Sequence, residues 1–157
     1  MEKYFRTESG ERVNIVEHSL DQLKLWPNLR VYIGTDSQDF GKITRYATAI
    51  VYRYGQRGAH YIYYVEDVPK QRDMFTRLFE EASRTIETAQ LIDTEIPIAF
   101  EGLEFDYNHI PKFNSNRLLG QVKGWVAGLN YKPVFKGGDM IACKAADHLC
   151  RNKRPTK

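Results

Sequence analysis

Runs of apolar and polar residues along the chain predict an α/β fold that begins with a short arm. Residues 4–16 have a strand-like pattern around a Ser-Gly pair, and residues 17–28 have leucines at helical spacing, with Ser19 as the predicted N-cap. Three runs rich in Val, Ile, Thr and Tyr follow at 30–36, 43–55 and 59–68. Because a glycine-containing turn joins the last two runs, we expect the three strands to form an antiparallel meander.

The second half of the chain alternates helical and strand-like segments. The clearest amphipathic helix covers residues 71–93, where apolar residues recur every three or four positions. The later segments are a strand at 95–107, a helix at 114–130, a short strand at 131–137 and a helix at 139–152. We therefore predict a mixed five-stranded sheet flanked by helices, in which three antiparallel strands precede the helix-connected ones. The first and fourth strands of this sheet should be parallel neighbours.

The composition is that of one ordinary domain. The chain has 157 residues, 42% of them hydrophobic, and a formal net charge of +3. We expect a single domain over 1–157, with an N-terminal hairpin and helix in 1–28 and a disordered basic tail in 152–157. The excess of base permits a nucleic-acid partner. No apolar run approaches the ~20 residues of a membrane-spanning helix, and the N-terminus has no signal-peptide core, which predicts a cytoplasmic protein without membrane contact.

The segment "LRVYIGTDSQDFGK", residues 29–42, is apolar for most of its length and then places Asp36 among turn-forming residues. One interpretation is a turn, since Asp and Ser near Gly make local hydrogen bonds to the backbone. The other is chemical, because a carboxylate held at the tip of a buried strand can coordinate a metal ion. The stretch alone leaves both interpretations open.

A second acid follows the fourth strand as Asp36 follows the first. The C-terminal ends of parallel neighbours meet at one edge of a sheet, where open α/β sheets usually hold ligands, so we expect Asp36 and Asp106 to converge. The last helix can bring Asp139 or Asp147 to the same edge. The macrodipole opposes cation binding by Asp139 at the helix start, whereas Asp147 lies among apolar neighbours and needs a partner.

The amphipathic helix supplies a further carboxylate. Glu81 lies at the border of its predicted apolar face, and Glu80 lies on the solvated side. Three or four carboxylates around one point repel each other unless a cation compensates their charge. Hard oxygen ligands select Mg²⁺ or Mn²⁺, and two such ions ~3.5 to 4 Å apart form the clamp used for attack of water on a phosphodiester. The arrangement therefore indicates a two-metal nuclease.

The order of elements and acids resembles the ribonuclease H-like fold. More closely, the segments "YIGTDSQ", "LFEEASRTIE", "LEFDYN", "VKGWVAGLNYKPVFK" and "KAADHLC" resemble the YkuK-type family, largely uncharacterised bacterial and phage proteins of the ribonuclease H-like superfamily. The resemblance extends from about residue 12 to residue 150. Its most specific parts are "IGTDSQ" and the late Gly-Trp-Val segment.

This resemblance implies a two-metal phosphodiesterase. Asp36 and Asp106 would be the central metal ligands and Glu81 a third, with Asp147 or Asp139 completing the site. In the family the late segment reads more like "K-P-x-S-W-A-A-S-x-x-A-D", and here "FKGGDMIACKAADH" lacks that serine and tryptophan. Asp147 matches the family's Ala-Asp pair, whereas Asp139 is better placed if the helix N-terminus faces the site.

Other side chains near these acids are candidates for further roles. Glu104 shares a strand face with Asp106 by the two-residue period, so it is a possible extra ligand. The candidates for substrate binding, through phosphate, ribose, base stacking or proton transfer, are Ser37, Gln38, Tyr107, His109 and Lys136. Turn closure and a solvated surface are the alternatives for these residues.

The function predicted from the sequence is a Mg²⁺- or Mn²⁺-dependent nuclease that uses two ions on RNA, an RNA–DNA hybrid or branched DNA. A rival from another class is a catalytically inactive nucleic-acid-binding or assembly protein with the same fold. A purely structural role is the third hypothesis, and it predicts that the acids do not converge. Neither the substrate strand type nor the oligomeric state follows from the sequence.

Overall fold

A computed structural model describes residues 4–107, 115–135 and 140–152 of the chain. Within them, seven strands form one mixed sheet in the order β2-β1-β5-β4-β3-β6-β7. The strands are β1 (Phe5–Thr7), β2 (Arg12–Val13), β3 (Arg30–Phe40), β4 (Ile43–Arg53), β5 (Ala59–Pro69), β6 (Phe100–Phe105) and β7 (Pro133–Phe135). The helices are α1 (Ile15–Leu25), α2 (Met74–Asp93), α3 (Ser115–Gly128) and α4 (Ile141–Asn152).

The α/β class, the antiparallel meander and the flanking helices are confirmed, but the predicted number of strands is wrong. The sheet has seven strands rather than five because the N-terminal hairpin joins it. Strand β1 pairs with the outer edge of β5, with Arg6 opposite Tyr63 and Thr7 opposite Ile62. Phe5 is 1% exposed in the main core, so burial of this side chain helps to fix the hairpin to the sheet.

The predicted end of the first core strand is also wrong. Strand β3 continues four residues beyond Asp36, because its ladder with β4 runs to the pair Phe40 and Ile43. The reversal falls at Gly41, whose φ of +58° is a left-handed conformation that glycine adopts without strain. Asp36 is therefore an interior strand residue opposite Ala47, and the turn interpretation of this stretch does not apply to it.

Strand β3 contacts different helices through its two faces. Alternate residues such as Thr35 and Ser37 bond to α2, whereas Gly34 and Asp36 lie on the face that α4 covers. A Cβ atom on Gly34 would lie 2.8 Å from both the backbone N and the Sγ of Cys143. Only glycine at this position allows α4 to approach so closely.

The predicted N-cap of the first helix differs from the structure. The N-cap of α1 is Asn14, whose Oδ1 accepts from the backbone N–H groups of Val16 and Glu17. Ser19 lies inside the helix and shares a 2.7 Å hydrogen bond with the Tyr52 hydroxyl.

Among the described helices, none has the length and apolar character that crossing a bilayer requires.

Candidate active site

The sheet has an opening beside the C-terminal half of β3, between the two layers of helices. The parallel ladder between β3 and β6 ends at the pair Gly34 and Glu104, whereas β3 remains paired with β4 up to Phe40. Beyond Gly34, β3 therefore has no paired neighbour on the β6 side within the described residues. Side chains from both faces of the sheet can meet in this opening, and Asp36 is the second β3 residue within it.

Asp36 and Asp147 of α4 form a close carboxylate pair. Burial, and then the interaction with the Asp147 carboxyl group, raise the pKa of Asp36 from 3.8 to about 7. Asp147 also accepts from Arg151 Nε at 2.8 Å, and this contact lowers the pKa of Asp147. Near neutral pH the pair shares a proton that belongs mainly to Asp36.

Glu81 of α2 approaches the opening from the other face of the sheet. Its side chain is 6% exposed, so the prediction that it lies at the border of the helix is wrong. The Ser37 hydroxyl donates to Glu81 Oε2 at 2.9 Å. Burial, and then the charge of Asp36, raise the pKa of Glu81 well above 4.5.

The buried face of α2 is polar where it meets the sheet, which explains why the prediction for Glu81 is wrong. It contains Glu81, Thr85 and Thr88 beside alanines and isoleucines, whereas Phe79 is 39% exposed and lies outside it. Thr85 Oγ1 donates to Thr35 Oγ1 at 2.9 Å, and Thr35 shares a 3.0 Å hydrogen bond with Thr48. These bonds attach α2 to β3 and β4 immediately below Glu81.

Asp106 completes the group from the end of β6. It is exposed, just after the last residue of the strand, and its negative charge raises the pKa of both Asp36 and Glu81. The acids predicted at β3, α2, the end of β6 and α4 thus affect one another electrostatically across the opening. This arrangement does not favour the hypothesis of a purely structural role.

Glu104 of β6 contacts the N-terminal end of α4. The side chain is 1% exposed, and its Oε1 accepts from the backbone N–H groups of Ala142 and Cys143 at 2.9 Å each. It therefore caps α4 from a neighbouring strand. Burial raises the pKa of Glu104 to about 6, and its Oε2 is buried without a hydrogen-bond partner.

The predicted substrate-binding residues have varied positions. Ser37 is buried against α2, and besides donating to Glu81 it accepts from Arg77 Nε at 3.2 Å. Tyr107 is 3% exposed and donates to the backbone oxygen of Leu78 at 3.0 Å, which places its ring in the core rather than on a stacking surface. Gln38 is half-buried on β3, opposite Arg45. The remaining candidates lie outside the described residues: His109, Lys136 and Asp139.

The donor set fits a hard divalent cation in its chemistry. The pKa values of Asp36 and Glu81 are raised even though the charge of Arg77 acts on Glu81, and Mg²⁺ or Mn²⁺ supplies further positive charge to oxygen ligands. Over the described ranges, no three His, Cys, Asp or Glu side chains are grouped so that they could hold a metal ion. Ligation by the full set therefore requires these side chains to move closer together, Glu81 and Asp147 from positions where they accept from Ser37 and Arg151.

The family of the chain follows from comparison with known proteins. No curated protein matches the chain. A family model described as Ribonuclease H-like matches residues 14–151, in agreement with the resemblance found in the sequence. Proteins with this fold generally depend on divalent metal ions and bind nucleic acid. Since the match covers strands β3 to β7 and nearly every residue of the four helices, the chain belongs to the Ribonuclease H-like family.

Proposed function

We propose that the protein is a divalent-metal-dependent nuclease that hydrolyses phosphodiester bonds of RNA, an RNA–DNA hybrid or branched DNA. The observation that carries this proposal is the mutual effect of the carboxylates in the opening beside β3, where burial and Asp147 raise the pKa of Asp36 to about 7. Crowding of this kind destabilises the metal-free protein, and it is typical of functional sites rather than of structural surfaces.

Asp36, Glu81, Asp106 and Asp147 are the residues that would hold the ions. Bound Mg²⁺ or Mn²⁺ would neutralise the crowded carboxylates, polarise the phosphodiester and make the attacking water more acidic. Asp139 stays a candidate for a further ligand, because it precedes α4 in the sequence. Glu104 is better explained as the cap of α4, since its Oε1 is occupied by two backbone donors.

The protein's own groups control when these carboxylates become available. Asp36 holds the proton that it shares with Asp147 until the pH reaches about 7, so cleavage should increase with pH through this range at low metal concentration. Arg77 donates from Nη2 to the Ser37 backbone oxygen at 2.9 Å and from Nη1 to Asp39 at 3.2 Å. Arg77 thereby fixes the part of β3 that orients Glu81.

A second candidate function is a nucleic-acid-binding or assembly protein without turnover. The observation in its favour is that two of the four acids already have partners, Ser37 for Glu81 and Arg151 for Asp147. A protein that had lost catalysis could keep these contacts permanently. In a nuclease the same side chains must also reach a metal ion.

The test is cleavage of a labelled RNA–DNA hybrid, an RNA duplex and a DNA four-way junction in Mg²⁺ and in Mn²⁺. Wild type is compared with Asp36→Asn and with Glu95→Gln, a control at an exposed position in the turn after α2 that also removes one negative charge. We expect wild type and Glu95→Gln to cleave at least one substrate and Asp36→Asn to cleave none. Binding without cleavage by all three proteins would favour the second candidate, and equal cleavage by all three would indicate a contaminating nuclease.

A further inference from the structure

A basic pocket lies at the other end of β3, on the face that α4 covers. It has a volume of about 420 Å³ and lies between the first turn of α4 and the turn that joins β4 to β5. Its lining residues are Arg53, Gly55, Gln56, Gly58, Ala59, Ile141 and Lys144. Two of these residues carry positive charge and none carries negative charge.

A third cation stands directly beside this pocket. Arg30 of β3 is paired with Arg53 of β4 in the antiparallel ladder, so their side chains emerge on the same face. Like charges directly opposite each other destabilise a sheet. Arg30 donates from Nη2 to the backbone oxygen of Gly55 at 3.4 Å, and this keeps its guanidinium at the rim of the pocket. The repulsion between the two arginines would be relieved by a bound anion.

These cations differ from three other arginines near the sheet. Arg45, Arg77 and Arg84 each form an ion pair with a carboxylate, at 2.8 Å from Asp67, 3.2 Å from Asp39 and 3.2 Å from Glu66. In the described part of the chain, no carboxylate lies within ion-pair distance of Arg30, Arg53 or Lys144. Their charge therefore remains available to an anion from outside.

The turn beside the pocket is open at the backbone. Gly55 and Gly58 have φ values of +57° and +132°, and a Cβ atom at either position would meet no atom within 4 Å. The two glycines therefore leave room for a ligand next to the backbone. A polyanion could approach the arginines at this turn without displacing a side chain.

The cations of the pocket lie on the same surface as two of the carboxylates, Asp36 and Asp147. Arg30 and Asp36 both lie on the α4 face of β3, six residues apart, which corresponds to ~20 Å at the rise of an extended strand. Lys144 and Asp147 lie on α4 at a spacing of three residues, so they share one side of that helix. The cations and the carboxylates thus belong to one continuous surface of the protein.

We propose that the basic pocket formed by Arg30, Arg53 and Lys144 is a phosphate-binding subsite, which holds the backbone of a nucleic-acid substrate on the surface that it shares with the carboxylates. Phosphates of one strand follow each other every ~3.4 Å along a duplex axis, so a phosphate held by Arg30, at ~20 Å from Asp36, would lie about six nucleotides from the bond to be cleaved. The assignment of the substrate as nucleic acid rests on the proposed function.

The subsite also supplies positive charge, which a nuclease with a carboxylate centre needs to attract its substrate. A carboxylate centre repels a polyanion, and the described cation nearest to Asp147, Arg151, is already paired with it. Unpaired cations farther along the same surface supply the attraction that brings the strand to the centre. Contacts of this kind position the substrate without reading its sequence.

The test measures how binding depends on salt. Affinities for a 20-base-pair RNA–DNA hybrid, an RNA duplex of equal length and a DNA four-way junction are measured by fluorescence anisotropy from 50 to 300 mM salt, without divalent metal. The variant is Arg53→Gln with Lys144→Gln. The control is Arg12→Gln with Lys24→Gln, which removes the same charge from exposed positions on β2 and α1. For the first variant we expect the slope of log K against log salt to fall by about 2, the loss of two phosphate contacts, and little change in the control.

The outcomes separate this subsite from the nuclease itself. A slope equal to that of wild type, in a protein that binds nucleic acid, would overturn the subsite and leave the proposed nuclease intact. A reduced slope in a protein that cleaves nothing would support the subsite and contradict the nuclease. Failure of wild type to bind any of the three nucleic acids at 50 mM salt would overturn both.

Discussion

Replacing Asp36 by Asn should stabilise the metal-free protein while removing a group that the proposed function needs. The pKa of Asp36 rises from 3.8 to about 7 on folding, and one pKa unit corresponds to about 1.4 kcal/mol, which sets an upper limit of about 4 kcal/mol at pH 8. Asp147 carries part of this interaction with a lowered pKa, so we expect a gain of about 2 to 4 kcal/mol. Asn has a similar volume and its amide can donate to Asp147.

The sign of the pH dependence follows from linkage. Between pH 3.8 and 7 the folded wild type keeps a proton on Asp36 that the unfolded chain has released, so its stability falls as the pH rises through this window. Asp36→Asn does not lose stability in this way, because it has no carboxyl group at position 36. Its advantage should therefore grow by about 2 kcal/mol between pH 5 and pH 8 and then stay constant.

Urea denaturation in EDTA at pH 5 and pH 8 measures both quantities. Glu95→Gln, which removes a charge from an exposed position, should change stability little at either pH. If Asp36→Asn is no more stable than wild type at pH 8, or if its advantage is the same at both values of pH, then Asp36 is not a crowded carboxylate and the argument for a metal centre loses its main support.

Two further substitutions test how α4 is positioned. Gly34→Ala places a methyl group 2.8 Å from the Cys143 backbone, so thermal unfolding should show a loss of about 1 to 3 kcal/mol of stability. Gly120→Ala, in open space on α3, should lose no stability. Equal melting temperatures of the two variants would contradict the close approach of α4 to β3. Glu104→Ala leaves two buried N–H groups of α4 unpaired and should cost about 2 to 4 kcal/mol, whereas Glu101→Ala removes only an exposed ion pair and should cost less than about 1 kcal/mol. A small effect of Glu104→Ala would show that this carboxylate does not cap the helix.

Much of the core topology was predictable because local patterns and chain connectivity determine it. The runs of Val, Ile, Thr and Tyr identify β3, β4 and β5, and short connections make them antiparallel neighbours. The parallel pairing of β3 with β6 follows from the helical crossover, and it places Asp36 and Asp106 near one edge. The docking of the hairpin on β5 depends on burial of Phe5, a long-range contact that no local pattern indicates.

The environment of the individual acids was less predictable, because each depends on tertiary contacts. Glu81 lies on the buried face of α2 that Thr85 attaches to β3, and a hydrophobic pattern counts threonine as polar. The position of Glu104 under α4 depends on the crossing of that helix over Gly34. The signals that could have indicated these positions are the buried-strand glycine at Gly34 and the row of Glu and Thr residues along one side of α2.

The central claim is that carboxylates from β3, α2, the end of β6 and α4 hold divalent ions. The most direct test is calorimetric titration with Mn²⁺ at pH 6.5, in two buffers that differ in their heat of ionisation, for wild type, Asp36→Asn and Glu95→Gln. Because the pKa of Asp36 is about 7 and that of Glu81 is also raised, wild type and Glu95→Gln should bind Mn²⁺ and release protons from both carboxyl groups. Asp36→Asn should bind far more weakly and should lack the proton that Asp36 supplies. Absence of Mn²⁺ binding by wild type at millimolar concentration, or equal binding by Asp36→Asn, would contradict the account.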